Sequence, residues 1–250
     1  FTGYKNNLRD RRNRNYEFNN NEDESLLHTE SESKSSVKTL SGVKGSVIHR
    51  ALQMETDIDD IENFITGEVK NRLSIFEYES MSTELITSAV QDLKQYYNSD
   101  TYRELKQYKN FKNEFEIYVK EKDYYLYGII DKLIIEKDKV IITDYKTDDI
   151  PAEEIDERAE IYFNQLRFYS YIVNRFLENI NTFELRLIFL KHPGRPVIQV
   201  IKQDRLAEIG QNIDSMVNNI REGNFIRNTG HCTKCNYSLN FNRCIINDNH

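Results

Sequence analysis

The chain has 250 residues, a net charge of -7 at neutral pH, 38% hydrophobic and 12% aromatic residues, and no tryptophan. That length suits one well-buried α/β core with appendages, or two small domains, and no apolar run approaches the ~20 residues of a membrane-spanning helix. Acidic side chains outnumber basic ones over residues 51–190 and the balance reverses over 191–250, which argues against a central surface that grips nucleic acid by charge alone.

The sequence opens on Phe1 and shows no secretory pattern. It reads as a fragment of a longer polypeptide or a trimmed form, soluble and cytoplasmic. Residues 1–41 begin with the basic stretch LRDRRNRN and pass through Asn, Asp and Glu to SESKSSVKTLS. This composition predicts a flexible polar tail or linker, whose Arg cluster is either a phosphate contact or, more simply, a solvated charge run. From Gly42 to residue 225 the pattern is that of a folded core.

Residues 45–68 show helical spacing through Val47, Ile48, Ala51, Leu52, Ile58, Ile61 and Phe64, with a turn near Thr56 and Asp57. His49 lies there, one helical turn after Gly45. A lone helical histidine is more often a surface or core residue, yet this spacing allows another backbone to approach the glycine while the imidazole is presented to a metal. Further helices are predicted at about 82–97 and 101–108. Segments near 113–121, 124–136 and 139–146, which alternate or run apolar with β-branched residues, predict three consecutive antiparallel strands. A helix over about 154–178, strands near 182–191 and 196–201, and a helix near 203–222 complete the order, with helices able to cover a sheet.

The run GIIDKLIIEKDKVIITDYKT carries the chemistry. A hairpin turning at Lys137-Asp138 sets Ile135 opposite Val140, Glu136 opposite Lys139 and Asp131 opposite Asp144, with Lys146 on the same face by strand alternation. Opposed side chains have Cβ atoms about 4.5–5.5 Å apart, where like charges destabilise a sheet, so a cation is expected between the two carboxylates. A hard divalent ion such as Mg²⁺ suits carboxylate, carbonyl and water oxygens, and a nearby ammonium can orient a water or stabilise charge on a phosphate. The plain alternative is an exposed hairpin with scattered charges. On the following helix, Gln165 and Tyr169 stand four residues apart on one face. Their plain reading is a core stripe with Leu166, Ile172 and Val173, but a buried amide requires hydrogen-bond partners.

Gly45-x-x-x-His49, the strand motif GIID, the strand motif DYKT and the helix motif QLxxY follow one another in an order that resembles the RecB-type branch of the PD-(D/E)xK nuclease superfamily, over about residues 42 to 244. The resemblance implies a restriction-endonuclease-like α/β core of order αβββαβ, with a mixed central sheet flanked by helices. It implies that His49, Asp131, Asp144 and the backbone carbonyl of Tyr145 bind Mg²⁺ or Mn²⁺, that Lys146 is the catalytic lysine, and that Gln165 and Tyr169 support it. The family's acidic residue on the preceding strand is matched best by Glu114, with Glu116 as the alternative.

Residues 226–250 hold Cys232, Cys235 and Cys244, and their C-x-x-C spacing favours a metal over a disulfide inside the cell. They resemble the late cysteines of the family's iron-sulfur motif and imply a tail clamped onto the core, although the early cysteine of that motif is absent. A fourth ligand is needed for a [4Fe-4S] cluster or Zn²⁺. Either it precedes Phe1, or His231 supplies it, or the thiols are free. The expected function is metal-dependent hydrolysis of single-stranded or unwound DNA, with a helicase in the same chain or complex. A catalytically silent DNA-binding or scaffolding domain, and a stand-alone single-strand exonuclease, are the alternatives.

Overall fold

The computed structural model describes residues 32–225, with side chains from Leu40 onward. Contacts divide the chain into two compact units, Phe1–Thr39 and Leu40–His250, and the sheet belongs to the second. Helix α1 (Glu32–Gln53) begins earlier than the helical spacing from residue 45 predicts. Leu40 and Val43 extend the stripe of Val47 and Ile48 back by two turns and pack on the same cluster. Glu55, with φ 50°, closes the turn after α1, and α2 (Ile61–Arg72) follows where the turn near Thr56 and Asp57 was expected to separate two helical stretches.

Helix α3 (Ile75–Tyr97) also starts well before its predicted position at 82. A capping box explains the difference: the Ser74 hydroxyl accepts from Glu77 N–H, and the Glu77 carboxylate accepts from Ser74 N–H at 2.9 Å. The first residues after the cap, Ile75 and Phe76, are exposed and so fall outside the apolar stripe. A short α4 (Asp100–Leu105) leads to the sheet.

The fold is α/β, a mixed five-stranded sheet flanked by helices. Strands β1 (Phe111–Lys120), β2 (Tyr125–Ile135), β3 (Lys139–Lys146), β4 (Thr182–Phe189) and β5 (Val197–Lys202) lie in that spatial order. The pairs are antiparallel except β3 with β4, which run parallel and are joined through α5 (Ile155–Phe176). Helix α6 (Leu206–Arg221) closes the described chain.

Two apolar clusters sandwich the sheet. Val140 and Ile142 of β3 meet Leu166 and Phe163 of α5 on one face, while Ile141 and Tyr145 meet Ile48, Leu93 and Tyr96 of the α1–α3 layer on the other. Burial on both faces accounts for the unbroken apolar run VII in β3. Each fully buried aliphatic side chain contributes about 1.5–3 kcal/mol, so the central strands are held firmly at the point where the functional side chains emerge.

Candidate active site

The sheet forks at Asp131. From Ile135–Val140 the β2–β3 register runs to Lys132–Thr143. Beyond it, β2 continues to Tyr125 on β1, and β3 continues to Lys146 on β4. At the fork the Tyr145 N–H donates to Asp131 Oδ2 at 2.8 Å, a charge-assisted bond that fixes the carboxylate.

The facing of the side chains changes at the same place. On β2, Leu126, Ile130 and Leu133 all belong to the α5-side cluster, whereas Ile134 belongs to the other. On β1, Phe111 packs toward the α1–α3 layer, and Phe115 and Val119 pack toward α5. Strict alternation would forbid both patterns. The register partners Asn113–Lys132 and Phe115–Ile130 flank Glu114 and Asp131, so both strands lose their alternation at one shared position. Glu114 accomplishes this with φ 46°, a left-handed conformation that costs a non-glycine residue about 1–3 kcal/mol. The strain turns its carboxylate toward α1.

His49 projects from α1 into this gap. Its Nε2 lies 3.1 Å from the Tyr145 carbonyl oxygen, and its Nδ1 lies 3.4 Å from Asp131 Oδ1 and 3.6 Å from Glu114 Oε1. Ligand atoms of His49, Glu114 and Asp131 all fall within 4.8 Å of one another, and the group could hold a metal ion. Burial opposes charge on the imidazole, but the hydrogen-bonding carboxylates of Asp131 and Glu114, with Asp144 beyond them, push its pKa up to about 10.

Asp144 is 3% exposed. Its burial first, and the charge of Asp131 second, raise its pKa to about 7 against the opposing pull of Lys146. The Lys146 ammonium stands 2.7 Å from Asp144 Oδ2 and 4.1 Å from the centroid of the Tyr162 ring, and it donates to Gln165 Oε1 at 3.2 Å. Gln165 Nε2 in turn donates to the Tyr169 hydroxyl at 2.8 Å. The Tyr169 ring covers Gly128 so closely that a Cβ there would meet Cε1 at 2.7 Å, a physical reason for the glycine in GIID.

Residues 21–239 match the PD-(D/E)XK nuclease superfamily. The chain belongs to that superfamily. No curated protein matches it. A solved structure entitled "Crystal structure of SSO0001" is 18% identical, with 86% of this chain and 97% of that chain covered and a TM-score of 0.34.

PD-(D/E)XK nucleases use divalent metals, and the donor set here fits one. An imidazole, carboxylates and a backbone carbonyl are donors to divalent ions, and the His49 ring is held by its contact with the Tyr145 carbonyl oxygen. The structure brings His49, Glu114 and Asp131 into one group and sets Asp144, Lys146, Gln165 and Tyr169 into a connected chain beside it. Glu116, the alternative to Glu114, is exposed on β1. The neighbour of Gly45 differs from the expected backbone: a Cβ there would meet the Thr147 Oγ1 at 3.4 Å, a side chain directly after Lys146. Cys232, Cys235, Cys244, His231 and the Arg cluster near the start of the chain lie outside the described residues.

Two supports escaped the sequence reading. Tyr162 sits under Lys146, held by a 2.8 Å hydrogen bond to Asp148, which also accepts from Arg158 at 3.0 and 3.2 Å. Its position one helical turn before Gln165 was an available signal. Tyr96 hydrogen-bonds the Tyr145 hydroxyl at 3.0 Å and carried no local signal at all.

Proposed function

We propose that the chain is a divalent-metal-dependent deoxyribonuclease of the RecB-like branch, hydrolysing phosphodiester bonds in single-stranded or unwound DNA. It acts in the cytoplasm as the nuclease domain of a helicase-nuclease, repair or defence system. The observation that carries the reading is the meeting, at one fork of the sheet, of the His49–Glu114–Asp131 group with the Asp144–Lys146 pair. Order and spacing of the four sequence motifs support the RecB-like assignment, the DNA substrate and the helicase partner.

His49, Asp131, Asp144 and the Tyr145 carbonyl hold Mg²⁺ or Mn²⁺ in this reading, and Glu114 is placed to join them. Such an ion supplies Lewis-acid stabilisation of phosphate charge and lowers the pKa of a water. The remaining work belongs to the side chains. Tyr145 N–H keeps Asp131 aimed into the fork. Lys146, restrained by Asp144, Gln165 and the face of Tyr162, orients the attacking water and opposes charge building on the phosphate. Gln165 and Tyr169 keep the ammonium from swinging away. Cys232, Cys235 and Cys244 supply three thiolates to a [4Fe-4S] cluster or Zn²⁺ in this reading, with a fourth ligand from elsewhere.

Lys146→Ala tests the assignment. Cleavage of DNA in Mn²⁺ should be abolished while binding of the same DNA in Ca²⁺ changes less than about threefold. Cleavage retained at the wild-type rate would exclude Lys146 from the reaction and, with it, this reading.

A further inference from the structure

Behind the wall formed by Tyr145 lies a cavity of about 230 Å³, between the end of α1, the α3–α4 segment and the start of β1. Its charge is unbalanced. Lys106, Lys109 and Lys132 line it, against one carboxylate, Glu55. Lys132 is 8% exposed and is held there by Asn113 Oδ1 at 2.7 Å, Glu55 at 3.7 Å and the Phe111 ring, whose centroid is 3.9 Å away. Asp57 adds a second carboxylate acting on Lys106, so three ammonium groups still outnumber two carboxylates around this concave space, which favours an anion.

The rest of the lining is flat and apolar. Tyr97 and Tyr102 lie with ring centroids 4.7 Å apart, and Phe111 faces the same space. Lys106 rests 5.6 Å from the Tyr102 centroid, so charge and ring faces are interleaved. A bare inorganic anion would leave the aromatic walls unused, and an apolar ligand would leave the excess positive charge of the lining unbalanced. Both needs are met by one molecule that joins a planar ring to a phosphate.

We propose that this cavity is a second binding site, separate from the metal site, for a nucleoside phosphate, with the base against Tyr97, Tyr102 and Phe111 and the phosphate among Lys106, Lys109 and Lys132. At about 230 Å³ the cavity is smaller than the roughly 300–1,000 Å³ of drug-sized ligand pockets, so it takes at most one nucleotide, part of which extends through its open side. Two sources share that chemistry: a free nucleotide and the terminal nucleotide of a DNA strand. The metal site lies on the other side of Tyr145, and binding here requires no metal and no catalysis.

Isothermal titration of the full chain in EDTA tests this. Deoxyadenosine 5′-phosphate should bind one to one, at least tenfold tighter than deoxyadenosine or inorganic phosphate. Lys106→Ala combined with Lys109→Ala, both exposed positions, should weaken it at least tenfold, as should Tyr102→Ala, with circular dichroism unchanged. Lys146→Ala should leave it unaltered. A 5′-phosphorylated tetradeoxyadenylate that competes with the mononucleotide and binds tighter identifies a strand end as the source, and one that fails to compete identifies the free nucleotide. No binding, or binding lost in Lys146→Ala and kept in the lysine double variant, would overturn the site.

Discussion

His49 supplies positive charge to Asp131 and Glu114, and this gives the metal-free protein an unusual pH dependence. Its pKa is about 10 in the fold against an ordinary 6.5. The native state therefore holds a proton that the unfolded chain gives up, and stability falls as pH rises from about 6.5 through 10. Asp144, raised to about 7 from 3.8, acts in the same direction at lower pH. Urea unfolding of EDTA-treated protein should show a midpoint that declines from pH 6 to pH 10, less so in His49→Gln. Added Mn²⁺ should restore more stability at high pH than at low, because binding must displace the imidazole proton. A midpoint that rises over that range would contradict the carboxylate cage. Tyr162 admits a finer test: a cation–π contact is worth about 0.5–2 kcal/mol, so Tyr162→Ala should lower kcat roughly 2- to 30-fold, whereas Tyr162→Phe, which keeps the ring but loses the Asp148 hydrogen bond, should fall between wild type and Tyr162→Ala. At this scale the hairpin register from Ile135–Val140 to Lys132–Thr143 was legible because it is simple arithmetic, but the expected pairing of Asp131 with Asp144 was not, because the strands part and Asp131 turns to His49 on α1. Glu114 was legible only through resemblance, since its left-handed φ breaks the alternation on which such arithmetic depends.

Gly128 joins two elements that the metal site requires to stay in register, β2 and α5. Any Cβ at that position would press on the Tyr169 ring and, through the Tyr169–Gln165–Lys146 chain, move the ammonium. Gly128→Ala should cost about 1–3 kcal/mol by overpacking and lower cleavage at saturating substrate. Combining it with Tyr169→Ala should be less damaging to stability than the sum of the two, since both act on one contact; strict additivity in urea melts would mean that the ring and the strand are independent. The order of helices and strands was readable because β3 is a short β-branched run, apolar on both faces, and α5 carries Phe163, Leu166, Tyr169 and Val173 on one. The early starts of α1 and α3 were not. Leu40 and Val43 are sparse among serines, and α3 is begun by a cap whose first apolar residues face outward.

In the whole molecule, the two cores on either side of one sheet hold the fork open and bring α1, β1, β2, β3 and α5 to a single point. Superfamily membership gives the chain nuclease chemistry; the parts played by its own residues are those proposed above. Sequence order foretold the architecture because each motif sits on its own element, whereas the cavity behind Tyr145 is assembled from residues scattered between Leu52 and Tyr145 and left no local pattern. No helix among the described residues is long and apolar enough to cross a membrane. The most direct measurement is cleavage of end-labelled single- and double-stranded DNA by the wild type and Asp144→Ala, in Mg²⁺, Mn²⁺ and EDTA. Metal-dependent cutting, faster on the single strand and lost in the variant and in EDTA, is the expected result. Absence of cutting by folded, metal-bound wild type, or equal cutting by Asp144→Ala, would contradict the account.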